Sequence, residues 1–361
     1  MADARTQLRW DTIEHEQALA LPGTGERVTH SEFAGIEFLH VRAKSLLNHV
    51  PAAAGLPFEW TINAYRGCTH ACTYCFARPS HQWLELDAGR DFESVIVVKV
   101  NAVERLRAEL RSPRWQGDHV ALGTNTDPYQ RAEGRYRLTR GIVQTLADAG
   151  NSFSLLTKGT LVTRDLDVLS DAAARGVCTG VSLSIPTLDE QVWRASEPGT
   201  PHPQARLEAV AALADAGIPT GVMVAPVMPG LSDGRSQLEA VVRGAIEAGA
   251  SSITPIVLHL RPGVREVFEP WLADVAPQLL ERYRAWYADS YAATSLRRRI
   301  TQTVYELIER HGGLRAPRLR GDRATSAGER VSGPARHGVG APGIRASANG
   351  DAAGGEQLAL L

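Results

Sequence analysis

Three of the four cysteines in the chain fall within eight consecutive positions, Cys68, Cys72 and Cys75, spaced Cys-x3-Cys-x2-Cys. No other feature of the sequence restricts the fold so tightly, because three thiols on one short loop point to a shared inorganic partner. A disulfide framework calls for an even, dispersed set of cysteines. A structural zinc site usually takes two ligand pairs. Here zinc would need His70 or Cys178 to complete its ligands. Three thiolates can instead hold three irons of a [4Fe–4S] cube and leave the fourth iron open to chelation by a small molecule. His70 reads as a loop residue near such a cluster rather than as a ligand.

After the cysteine loop, strand and helix patterns alternate. Phe58–Asn63 alternates apolar and polar residues and reads as a strand leading into the loop. Further strands are read at Ser94–Val100, His119–Thr124, Ser152–Thr157, Cys178–Ile185, Thr220–Ala225 and Ser252–Leu258. The intervening helices span Ala102–Arg111, Thr139–Ala149, Thr163–Arg175, Pro203–Ala216 and Arg235–Ala248. Asn101 is placed to cap the first of these, and Gly150, Gly176, Gly217 and Gly249 stop the others. Such alternation argues for parallel βα units. There are too few for a full eight-stranded barrel, and no Gly-x-Gly-x-x-Gly follows the first strand to support a dinucleotide fold.

The segment Tyr65-Arg66-Gly67-Cys68-Thr69-His70-Ala71-Cys72-Thr73-Tyr74-Cys75-Phe76-Ala77-Arg78 resembles the radical S-adenosylmethionine (SAM) superfamily, with Tyr74 as its aromatic residue before the third cysteine. It looks like the branch related to spore photoproduct lyase, and within it is similar to an actinobacterial group of uncharacterised radical SAM proteins. The resemblance implies a partial (β/α)6 barrel, open on one side, with its chemistry at the C-terminal ends of the strands. It implies a [4Fe–4S] cluster on Cys68, Cys72 and Cys75, with SAM at the open iron and Tyr74 beside it. SAM would be cleaved reductively to a 5′-deoxyadenosyl radical by an electron from a flavodoxin or ferredoxin system.

Three more motifs stand at strand ends. Ala121–Gln130 carries Thr126 and Asp127, Leu156-Thr157-Lys158-Gly159 carries Lys158, and Val181–Ile185 carries Ser182 and Ser184 on one face by period two. By themselves these residues also fit a capped turn, a solvated lysine and satisfied core hydroxyls. The resemblance implies that Thr126, Lys158 and Ser184 contact SAM, with Lys158 meeting its carboxylate. Arg206 is expected to pair with a carboxylate, either that of Glu197 in Glu197-Pro198-Gly199 or that of the cofactor. Two departures matter. The branch's hydrogen-donor cysteine is matched by Thr124, and its tyrosine after the third cluster cysteine is matched by Phe76. Repair of spore photoproduct is therefore not expected. Cys178 begins a strand and reads as a small buried hydrophobe.

Composition bounds the rest. The net charge of −1 gives no overall basic field, and 43% hydrophobic with 22% charged residues is ordinary for a globular chain. The clustered cysteines and the lack of an apolar leader lead to an expectation of the reducing cytoplasm. No membrane span is expected. Residues 1–56 read as an N-terminal extension, with 37–47 as a short strand and helix, and 57–262 as the barrel. Residues 263–315 read as a helical cap rich in aromatic residues, with a solvated basic face at Arg297, Arg298 and Arg299. From 316 to 361 the composition turns to Gly, Ala, Arg, Ser and Pro and is expected to be disordered. Its last residues, Gln357-Leu358-Ala359-Leu360-Leu361, resemble a bacterial sliding-clamp-binding motif with Leu361 in place of the aromatic. That and the branch's name imply a nucleic-acid substrate. The competing function class is an iron–sulfur redox-sensing or binding protein without turnover, which would need no cofactor-shaped barrel mouth.

Overall fold

The structure is a computed structural model, and it describes residues 25–51 and 56–314. The tail and its clamp-like pentamer lie outside the described residues. The main sheet has seven strands in the order β11-β10-β9-β8-β7-β4-β3. These are β3 (Leu47–His49), β4 (Trp60–Ile62), β7 (Val120–Leu122), β8 (Phe153–Thr157), β9 (Cys178–Ser184), β10 (Thr220–Val227) and β11 (Ser252–Val257). Only β3 runs antiparallel, against β4, so six strands are parallel. β11 and β3 are the two edges, and the barrel is open between them.

The central strands β9 and β10 each bury an apolar face. Val181, Leu183 and Val224 are fully buried and Val222 nearly so, as befits parallel strands covered by crossover helices. Those helices are α1 (Ala102–Leu110), α2 (Leu138–Asp148), α3 (Leu166–Ala174), α4 (Pro203–Asp215) and α5 (Arg235–Glu247). Gly150, Gly176, Gly217 and Gly249 follow four of them at φ of 68°, 71°, 76° and 84°, the left-handed conformation that ends a helix and turns the chain into the next strand. Beyond β11 come α6 (Arg265–Val275), α7 (Leu280–Trp286) and α8 (Thr294–Arg310), the last packed on α5 and β11.

Three expectations need correction. The Ser94–Val100 run is a strand, β6 (Val95–Lys99), but it is not a barrel strand. It pairs with β2 (Glu37–Val41) and β5 (Tyr65–Arg66) in a separate four-stranded sheet, ordered β1-β2-β6-β5 with β1 (Glu26–Thr29) at its edge. A β-branched run signals a buried strand without naming its neighbours. Residues 37–47 contain no helix. Glu109 accepts from the backbone N–H of Leu46 at 3.0 Å and of Leu47 at 3.0 Å, holding this stretch extended. Asn101 does not cap α1 with its side chain. Its Oδ1 accepts from Ala43 N at 2.8 Å and its Nδ2 donates to Ala43 O at 3.0 Å, tying the N-terminal segment to the barrel.

Candidate active site at the mouth of the barrel

One cavity is lined by Cys68, Cys72 and Cys75 together with residues at the C-terminal ends of β7 through β11. Strands that far apart in the sheet can share a cavity only because the sheet curves. Tyr74, Thr126, Lys158 and Ser184 all line it. Thr124 and Cys178 are not among its lining residues.

The cysteine loop is shaped by its backbone. Gly67 takes φ of 81° and Ala71 φ of 54°. A Cβ on Gly67 would come within 2.8 Å of Phe92 O, so only glycine fits there. Arg78 lies buried beneath the loop. Its guanidinium donates to Cys72 O at 3.0 Å, Ala88 O at 3.1 Å and Gly89 O at 2.6 Å, and pairs with Glu93 at 2.8 Å. Gln130, fully buried, holds the other side. It accepts from Thr69 N at 2.9 Å and donates to Gly67 O at 3.1 Å and to Thr126 Oγ1 at 3.0 Å. The Thr126 hydroxyl itself donates to Gly67 O at 2.7 Å. Gly199 closes the third side: its N–H donates to His70 O at 3.0 Å, and a Cβ there would fall 2.1 Å from Thr69 O.

Two buried carboxylates organise the charge. Glu197 has no exposed surface. It accepts from the Tyr74 phenol, pairs with Lys158 Nζ at 2.9 Å and pairs with Arg206 at 2.5 Å. Burial pushes its carboxyl up, but Arg206 and Lys158 outweigh that and hold it at about 2. Arg206 therefore pairs with Glu197, and it also donates to Ser184 O at 3.0 Å. Lys158 donates to Ser184 Oγ at 2.6 Å and to Ala225 O at 3.2 Å, with its ammonium 5.6 Å from the centre of the Tyr74 ring. Asp127 accepts from Lys158 N at 2.6 Å, Thr157 Oγ1 at 2.5 Å and Tyr129 N at 2.9 Å. Burial raises its carboxyl; His70 and these donors reverse the shift and hold it below the ordinary range. His70 Nδ1 lies 3.3 Å from Asp127 Oδ2, in contact but without hydrogen-bond alignment.

The donor set fits an iron–sulfur cluster. Three thiols without ionic partners share one cavity wall, and their loop is clamped by Arg78, Gln130 and Gly199 rather than by the sulfurs themselves. Burial pushes all three thiols up, so metal binding would displace their protons. Among the described residues no three His, Cys, Asp or Glu side chains converge as ligands of a single metal ion. Cys178 sits at the opposite end of β9 and cannot serve as a fourth ligand.

Sequence reasoning overlooked the parts played by Arg78 and Gln130 and did not reach His259, which also lines the cavity. A signal existed for two of them. Gln130 lies in the Thr126 motif, and His259 lies two residues past the last strand, where a barrel places site residues.

A sequence model of the Radical SAM superfamily matches residues 62–241, from the end of β4 to the middle of α5. The chain belongs to the radical SAM superfamily. It is 46% identical over 309 residues to an uncharacterised protein of Mycobacterium tuberculosis, covering 84% of this chain and 89% of that one. It is 29% identical over 200 residues to an uncharacterised protein of Methanocaldococcus jannaschii, covering 55% of this chain and 70% of that one. Among solved structures, its fold matches a spore photoproduct lyase variant with bound AdoMet and dinucleoside spore photoproduct. The TM-score is 0.53 at 19% identity, over 71% of this chain and 74% of that one. Among the described residues no helix is long and apolar enough to cross a membrane.

Proposed function

We propose that the chain is a radical SAM enzyme that carries a [4Fe–4S] cluster on Cys68, Cys72 and Cys75, binds SAM in the cavity beside it and acts on a nucleic acid. Cluster and SAM together, when bound, supply reductive cleavage of the sulfonium bond to a 5′-deoxyadenosyl radical that abstracts a substrate hydrogen. The protein's own residues orient and exclude water. The observation that carries this reading is the meeting of Lys158 and Ser184 with the cysteine loop in one cavity, from strand ends about a hundred residues apart in sequence.

Lys158 is the charge offered to the SAM carboxylate. Glu197 pairs with it and holds it in place, and Ser184 fixes its ammonium from the neighbouring strand. Tyr74 and Thr126 complete the SAM-binding set, the latter with its hydroxyl already engaged by Gly67. The apolar lining contributed by Phe76, Met223, Pro226, Ile256 and Leu258 keeps water from a reactive radical. A ferredoxin or flavodoxin supplies the electron. The nucleic-acid substrate is supported by the fold likeness to a lyase solved with a dinucleoside ligand. With Phe76 and Thr124 in the relay positions, spore photoproduct repair is not the reaction proposed. Anaerobic reconstitution followed by dithionite and SAM tests the reading. 5′-Deoxyadenosine should form, and a protein that holds its cluster yet releases none would refute it.

A further inference from the structure

The last barrel strand opens onto a stack of three side chains. His259, two residues beyond β11, lines the cavity, and one face of its ring is covered by Tyr291 at 4.3 Å between centroids and 13° between planes. The two residues are joined by an isolated antiparallel bridge, and Leu260 N donates to Ser290 O at 2.8 Å. The guanidinium of Arg297 lies over the Tyr291 ring at 5.6 Å, and its Nε donates to Ala292 O at 2.9 Å. Arg297 is thus engaged by the segment that packs on His259 and is not freely solvated. On the other side Arg261 donates from Nε to Phe76 O at 2.9 Å, next to the third cluster cysteine. The segment 259–261 therefore connects the cysteine loop to the start of α8.

We propose that His259, backed by Tyr291 and Arg297, is a stacking wall for a nucleobase of a single-stranded nucleic acid, with Arg261 and Arg297 supplying positive charge to its phosphates. The inference rests on the nucleic-acid reading above and names the form of that substrate. A planar ring beside an apolar floor, with guanidinium groups on the segments that flank it, is the combination that receives an unstacked base together with its backbone. Burial, helped by Arg261, lowers His259 to about 4, so the ring is uncharged at neutral pH and suited to stacking. Tyr291 already has one face on His259 and Arg297 over its ring. The cavity side of His259 is thus the surface offered to a ligand.

The test uses the full-length, anaerobically reconstituted protein and a short fluorescein-labelled single-stranded DNA oligonucleotide, read by anisotropy. Loss of one base–aromatic stack in His259→Ala should weaken binding roughly tenfold, while His259→Phe, which keeps a stacking ring, should bind near wild-type strength. Arg297→Ala should weaken binding and flatten its dependence on salt. Iron content of each variant reports on folding. Wild-type protein that cleaves SAM but does not bind the oligonucleotide overturns the wall and leaves the radical SAM reading standing. So does His259→Ala with full iron content and unchanged binding, or equal loss in His259→Ala and His259→Phe. Competition by a peptide but not by unlabelled DNA would likewise overturn it.

Discussion

The two ends of the barrel bury the same residue type to opposite purpose. At the C-terminal mouth, Cys68 and Cys72 are 6% and 5% exposed; at the N-terminal floor, Cys178 is 2% exposed. Burial pushes all of these thiols up. Burial therefore does not distinguish a proposed cluster ligand from a core residue. The surroundings do. Cys178 pairs in register with Phe153 beside Val177, among apolar side chains and glycine-ended helices. The mouth cysteines sit on a loop held by Arg78 and Gln130, against a network of Glu197, Lys158, Arg206 and Asp127. The floor is built for stability, and at the mouth the buried charges of Glu197 and Arg206 are tolerated because they are paired with each other, with Lys158 also on Glu197.

The comparison breaks most sharply at the thiols. Each of Cys68→Ala, Cys72→Ala and Cys75→Ala should abolish the roughly four irons and the [4Fe–4S]⁺ EPR signal of the reconstituted protein. Cys178→Ala should retain both. Loss of iron in Cys178→Ala alone would reverse the assignment of the two ends.

A step smaller is Glu197→Ala, which leaves Arg206 buried without its carboxylate. Breaking a buried pair this way costs roughly 3–5 kcal/mol, so the denaturant midpoint should drop well below that of Cys178→Ala. Equal midpoints would mean that the mouth network contributes nothing to stability.

Lys158→Ala should leave iron in place and weaken SAM by roughly 1.5–3 kcal/mol, the loss of one charge-assisted contact. Ser184→Ala and Thr126→Ala remove neutral hydroxyls and should each cost about 0.5–1.5 kcal/mol, with Thr126 the smaller because its hydroxyl already serves Gly67. Equilibrium dialysis with labelled SAM measures all three, and unchanged affinity throughout would remove the SAM site from these residues.

At the floor the effect shows only at high pH. Burial raises the Cys178 thiol from the ordinary 9.0 to about 12. Between these values the unfolded chain has lost the proton and the folded chain still holds it. Stability from this thiol is thus complete below pH 9 and declines as pH rises toward 12, by about 1.4 kcal/mol over the first unit. Urea melts at rising pH should show that slope in the wild type and a shallower one in Cys178→Ala.

Much of this was legible locally. The cysteine spacing, the apolar strands and the glycines that end the helices are short-range patterns, and they pointed to parallel βα units with a metal-binding loop after the first strand, while the partial barrel came from the family resemblance. Thr126, Lys158 and Ser184 were singled out by the family resemblance, and their place at strand ends, which brings them to the cavity, is itself a local property. The sequence by itself determined which faces are buried and where the chain turns. Tertiary structure alone decided what each buried face meets. β6 looks like a barrel strand in sequence yet joins β2 and β5, because a β-branched run carries no record of its partner. Asn101 looks like a helix cap yet binds Ala43, because a distant backbone offers both a donor and an acceptor. Arg206 had two candidate carboxylates until the fold set Glu197 against it. The stack sets His259 against Tyr291 and Arg297, which lie far along the sequence from it, and only the return of the chain after β11 brings them face to face.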